Sequence, residues 1–253
     1  MRVLGEGSRG ISYVVATPDD VSSSAPVVVA TVLRSSANGH NSRVGDRSAA
    51  VKHRLLRTVY DLRRVDGIDV VLSEYLDGGS LAQPAKPTSV ENAVQAMVDA
   101  GRALHVWHEA GFTHGAVHAN NVLLTTTGAV LADRKSSQST DMLSVGPLLT
   151  TLYCRAPEVI NGDAVTVAAD VWSYGAMVHR VLTGRHVYAE VHSDDRLDAI
   201  NAALGEPLTM HGPLSPARAG LIARCIDRDP ARRPSLLTDV VESLASTIQS
   251  RGS

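Results

Sequence analysis

Three glycines in six residues, Gly5-Glu6-Gly7-Ser8-Arg9-Gly10, are the first candidates for chemistry. A glycine-rich turn lets backbone N–H groups approach a phosphate that a side chain would hold off. Taken alone, the spacing fits a plain turn better than a ligand cradle. His105, His108, His114 and His118 fall within fourteen residues, which raises zinc as a question, although packing and hydrogen bonding at a helix end is the simpler account. Cys154 and Cys225 are too few for a disulfide framework or a structural zinc site and read as reduced core thiols.

The elements that must position these groups change character along the chain. Arg2–Leu4, Ile11–Thr17, Val27–Leu33, Thr58–Leu62 and Ile68–Glu74 are β-rich runs. Turn-rich stretches at Gly5–Gly10 and Pro18–Pro26 separate the first three, and Asp66-Gly67 turns between the last two. Ser35–Asp46 is polar and reads as an exposed loop; Ser48–Leu56 reads as a short helix with Ala50, Val51, Leu55 and Leu56 on one side. After Asp77-Gly78-Gly79 the period becomes helical. Val90–Ala110 carries Val94, Met97, Val98, Gly101, Leu104 and Val106 at helical spacing, and Ala168–Leu182, Leu197–Leu204, Pro216–Ile226 and Leu236–Ile248 follow. Strands first and helices after predict an α+β fold.

The glycine motif sits between two strands rather than between a strand and a helix, which removes the dinucleotide-fold reading. Six further segments follow in order: Ser73–Leu81 (SEYLDGGSL), His108–Leu124 (HEAGFTHGAVHANNVLL), Ala132–Lys135 (ADRK), Thr151–Val159 (TLYCRAPEV), Asp170–Gly175 (DVWSYG) and Cys225–Ser235 (CIDRDPARRPS). Together they resemble the protein kinase superfamily, of the eukaryotic-type Ser/Thr kind, in a degenerate form. Thr151–Val159 and Leu182–Arg185 are most similar to the cyclin-dependent and MAP kinase group. The resemblance implies a bilobal protein-kinase-like fold, with a small β-rich N-lobe over residues 1–76, a larger mainly helical C-lobe over 77–248 and a tail at 249–253. Ser73–Leu81 would be the hinge and the start of the next helix. Gly5, Gly7, Gly10, Ala30, Glu74 and Leu76 would be the nucleotide-facing positions, with Glu74 to Leu76 offering hinge carbonyl and amide groups to an adenine.

The same resemblance exposes what is missing. Phosphoryl transfer needs a strand lysine, its helix glutamate, a base and metal ligands. Val32 stands at the lysine position, and Arg34 shares its face of the strand but a guanidinium fork does not replace a compact ammonium. No glutamate occurs between Glu6 and Glu74. Ala116 occupies the base position, Gly115 replaces the arginine that receives an activation-loop phosphate, and His118 replaces the catalytic-loop lysine. Asn121 and Asp133 remain as residual metal-ligand candidates, but Arg134-Lys135 replaces Phe-Gly, and the hairpin before Asp133 is one residue short. Such a deletion turns a strand side chain to the other face. The structural positions are kept: His114, Asp170, and Glu158 paired with Arg233.

Composition adds boundaries. With 44% hydrophobic and 20% charged residues and a formal charge of −2 at pH 7, the chain lacks the signature of disorder and gives no electrostatic case for nucleic acid or an anionic membrane. No run reaches the roughly 18 apolar residues of a membrane span and no signal-peptide core opens the chain, so the cytoplasm is the expected location. The Ser and Thr residues between Lys135 and Leu152 read as a solvated loop, and the Pro216–Ala223 stripe as core. The leading functional expectation is a pseudokinase: a scaffold or allosteric regulator of a protein partner such as an active kinase or its substrate. It would require no cofactor, with binding of ATP and magnesium doubtful. The alternative is a divergent active ATP-dependent Ser/Thr kinase, and a nucleotide-sensing switch without turnover overlaps the first.

Overall fold

The computed structural model describes residues 1–7, 10–33, 51–132, 152–188, 196–205 and 208–249. Five antiparallel strands open the chain: β1 (Arg2–Gly7), β2 (Gly10–Ala16), β3 (Val27–Leu33), β4 (Val59–Val65) and β5 (Ile68–Glu74), in sheet order β1-β2-β3-β5-β4. The β-branched run Val27-Val28-Val29 explains why β3 is central, since such side chains favour a pleated surface packed on both sides; Val28 and Val29 are both buried. Asp66 (φ 50°) and Gly67 (φ 81°) close the β4–β5 hairpin with two left-handed residues, the geometry that matches strand twist. Gly5 and Gly7, read above as loop, lie inside β1, and Gly7 pairs with Gly10, so only positions 8 and 9 separate the strands.

Residues 51–56 are not helical. They form a turn at Arg54-Leu55, and Leu56 bridges Leu131. Their apolar residues are buried by docking onto the second half of the chain, which needs no helical period. The helix expected to begin after the hinge is also absent. Gly79 bridges Pro84 and Ser80 bridges Leu123, while Leu81 N–H donates to Val122 O at 2.8 Å. Pro84 and Pro87 supply no N–H to a helix, and the segment bonds to a strand instead. Ser35–Asp46 and residues 48–50 lie outside the described residues.

The helical part contains α1 (Val90–Glu109), α2 (Pro157–Ile160), α3 (Val167–Thr183), α4 (Arg196–Gly205), α5 (Pro216–Cys225) and α6 (Leu237–Gln249), with a hairpin of β6 (Val122–Thr125) and β7 (Gly128–Leu131). Ser89, Thr166 and Ser215 side chains cap α1, α3 and α5 by accepting from Asn92, Ala169 and Arg218 N–H groups. Gly184 ends α3 in the left-handed conformation. One large apolar core runs through this part, around Met97, Leu104, Trp107, Trp172, Tyr174, Met177, Ile222 and Leu244. Leu55 and Leu56 join it from the sheet side. A separate small cluster of Val21, Val28 and Leu72 serves the five-stranded sheet. The fold is a β-sheet lobe followed by a helical lobe.

Candidate functional site

The sheet edge of the site is built from the glycine motif and β3. A Cβ at Gly10 would strike the carbonyl of Val32, so this glycine is required by sheet packing whether or not a ligand is present. Ala30 and Val32 lie on β3; Val32 pairs with Ile11 and Val70 and brings an apolar side chain. Glu74 ends β5, and Leu76 follows it, half-buried. Arg57, to which the sequence reading gave no role, donates from Nε to the Glu74 carbonyl at 2.9 Å.

The loop after α1 has a rigid frame. Asp170, in the first turn of α3 and fully buried, accepts from His114 N–H at 2.7 Å and Gly115 N–H at 2.8 Å. His108 Nε2–H donates to the same carboxylate at 2.9 Å. Paired with three donors, a carboxylate this deep is stable where a lone one would not be. His114, also fully buried, donates from Nε2 to Ala132 O at 3.1 Å, while its Nδ1 accepts from Ala116 N–H at 3.2 Å. Those two bonds fix the neutral Nε2–H tautomer. Gly115 has φ 69°, a left-handed backbone that glycine adopts without penalty. Asn121, in a single 3-10 turn over Ala119–Asn121, donates from Nδ2 to Ala116 O at 2.8 Å and to His118 Nε2 at 3.2 Å. The structure thus brings His114, Ala116, His118, Asn121 and Asp170 together around one loop. Its side chains hold the backbone, and position 116 offers no proton acceptor.

The four histidines of the cluster divide among separate partners, with His105 beside Glu109 at 3.4 Å. Among the described residues no group of three or more His, Cys, Asp or Glu is arranged to hold a metal ion. Asp133, Arg134, Lys135, Arg34 and the Ser/Thr stretch before Leu152 lie outside the described residues.

Beneath the loop, Arg233 Nη1 and Nη2 donate to Glu158 Oε1 at 2.6 Å and Oε2 at 2.9 Å, a bidentate pair. Arg233 also donates to Ala168 O and Asp227 O, and its guanidinium lies 4.9 Å from the Trp172 ring centre. Cys154 and Cys225 are buried, and burial pushes both thiols up to about 12. Thiols of that kind are poor nucleophiles and poor metal ligands at neutral pH.

Comparison with known proteins places these features in context. The protein kinase domain model matches residues 1–245. Serine/threonine-protein kinase PknJ of Mycobacterium tuberculosis is 27% identical over 248 residues, covering 92% of this chain and 42% of that protein. Serine/threonine-protein kinase PknB of Mycobacterium leprae is 26% identical over 237 residues, covering 79% and 38%. Cytokinesis protein sepH of Aspergillus niger is 31% identical over 180 residues, covering 69% of this chain and 13% of its own length. The chain spans about two-fifths of the mycobacterial relatives. None of these three carries a cyclin-dependent or MAP kinase name, so that subgroup resemblance rests on Thr151–Val159 and Leu182–Arg185 alone. No helix among the described residues is long and apolar enough to cross a membrane.

Proposed function

Since this chain belongs to the protein kinase family, we propose that it is a pseudokinase, a single kinase-like domain over residues 1–248 that binds a protein partner instead of transferring phosphate. The observation that carries the reading is Ala116. The loop around it is framed by Asp170, His114 and Asn121, yet the residue at the base position has a methyl group. The described residues also fit a magnesium-bound triphosphate badly. Val32 gives no cation and Ala116 no carboxylate, and among the described residues only Asn121 keeps a metal-ligand position, its amide nitrogen anchored in the loop. Losing a general base or an electrostatic stabiliser costs about 10²–10⁴-fold each, and here the losses coincide.

A cytoplasmic scaffold or allosteric regulator is the role such a domain supports, with an active kinase or that kinase's substrate as the partner class. The second reading, a divergent active Ser/Thr kinase, draws support from relatives named as kinases over 92% of the chain. Its chemistry would have to come from Arg34, His118 or Asp133. A radiolabelled phosphate-transfer assay with magnesium and manganese titration separates the two. No transfer to the protein itself or to generic substrates is expected. Metal-dependent transfer that persists through purification and disappears in Asp133→Ala would establish the enzyme reading.

A further inference from the structure

Leu55 and Leu56 are buried in the helical core, and a cation follows them directly at Arg57. Its backbone is pinned from both sides. Arg57 N–H donates to Leu131 O at 3.0 Å and Leu131 N–H to Leu55 O at 2.8 Å, so residues 55–57 run along the end of β7, the strand that leads toward position 133. One residue on, Glu74 N–H donates to Thr58 O at 2.9 Å, and Thr58 N–H donates to Glu74 Oε2 at 3.3 Å. The side chain of Arg57, half-buried, then crosses to the end of β5, where Nε meets the Glu74 carbonyl at 2.9 Å. Glu74 is the first of the hinge residues whose backbone polar groups the kinase resemblance turns toward an adenine.

We propose that Arg57 is an internal occupant of the adenine subsite and the residue that decides what the cleft admits. The inference rests on the pseudokinase reading and deepens it. An adenine would approach the Glu74 carbonyl with its exocyclic amino group, a donor. The guanidinium already there is donor-only, with five N–H groups and no acceptor. The carbonyl has two lone pairs, so what excludes a purine edge is the room the guanidinium takes beside Glu74 O and the donor-against-donor contact a second N–H there would make. Displacing the arginine would move a half-buried cation off a charge-assisted bond, and such bonds are among the stronger ones. Nothing on β3 compensates, because Val32 contributes no charge to attract the phosphates that would follow the base. Arg57 thus closes the cleft to adenine nucleotides with a side chain of the domain itself, leaving the outer surface free to serve a partner.

Calorimetry with adenosine and with ATP-magnesium, on the full chain and on Arg57→Val, tests this. Wild type is expected to show no saturable adenosine binding up to about 1 mM, and Arg57→Val to bind adenosine at least about tenfold more tightly, with ATP similar to adenosine. Equal adenosine affinities in the two proteins, whether tight or absent, would overturn the inference. So would ATP binding to wild type that is tighter than adenosine and lost in Arg57→Val, which would make the guanidinium a phosphate ligand. Should Arg57→Val fail to fold, Arg57→Met keeps the aliphatic stem without donors. The wild-type titration is decisive on its own, since saturable adenosine binding there refutes the plug. Wild type that binds adenosine yet transfers no phosphate removes this inference alone; phosphate transfer by wild type removes the pseudokinase reading.

Discussion

Replacing Glu158 by alanine isolates a well-buried ion pair of the helical lobe. The Arg233 side chain is 0% exposed and that of Glu158 15%, with two short bonds between them. Removing one member of a buried pair costs about 3–5 kcal/mol, because the survivor stays in a low-dielectric site without its counter-charge. Arg233 would keep the Ala168 and Asp227 carbonyls and the Trp172 ring, so the lower end, about 3 kcal/mol, is expected. With a urea slope of about 3 kcal/mol per molar, the unfolding midpoint should fall by about 1 M. Glu158→Leu combined with Arg233→Met should recover most of that loss, since an apolar pair of similar volume has no charge to desolvate. A Glu158→Ala midpoint indistinguishable from wild type, or a double variant weaker than the single one, would refute this account of the pair.

Other consequences are equally direct. Burial lowers the His179 pKa below its ordinary 6.5, so the unfolded chain takes up a proton that the folded chain refuses. Stability should therefore fall as pH drops through about 6.5, levelling only below the depressed folded value. His179 Nδ1–H donates to Arg185 O and Nε2 accepts from His211 N–H. His179→Gln should flatten this part of the curve, and an unchanged slope would count against it. Cys154 and Cys225 should resist an aromatic disulfide reagent at neutral pH and both react after denaturation; rapid labelling of the native protein would contradict their burial. Gly101→Ala would push a methyl into Val241 and to 2.9 Å from the Tyr174 hydroxyl. Thermal or urea unfolding should show a loss of about 1–3 kcal/mol, and a neutral result would mean the α1–α6 contact is looser than it stands.

Much of the frame is legible in the sequence. β3 and β5 fall where their β-branched runs place them, and α1 follows the spacing of Val94, Met97, Val98 and Leu104. Ordered motifs pointed to the loop at 114–121 and to Asp170, because side-chain-to-backbone contacts of that kind depend on residue type at fixed positions. Other features left weaker traces. Leu55 and Leu56 are buried by a distant strand, which no local period encodes. Pro84 and Pro87 carry the signal against a helix directly after Gly79, a signal that the kinase resemblance does not contain. Arg57 was missed because its partner is a backbone carbonyl, and a carbonyl carries no residue identity to read.

The three donors gathered by Asp170 have an evolutionary consequence. Two of them are main-chain N–H groups, available from any residue but proline at positions 114 and 115. Asp170's hold on the loop backbone is thus insulated from the side chain at 116, whereas a side chain at 115 would meet the strain of the left-handed φ of 69° and a change at 118 would remove the Asn121 contact. A base could be lost or regained at 116 without passing through an unfolded intermediate, because Asp170 holds only the backbone of 114 and 115. Foldability of this loop therefore does not depend on a proton acceptor at position 116.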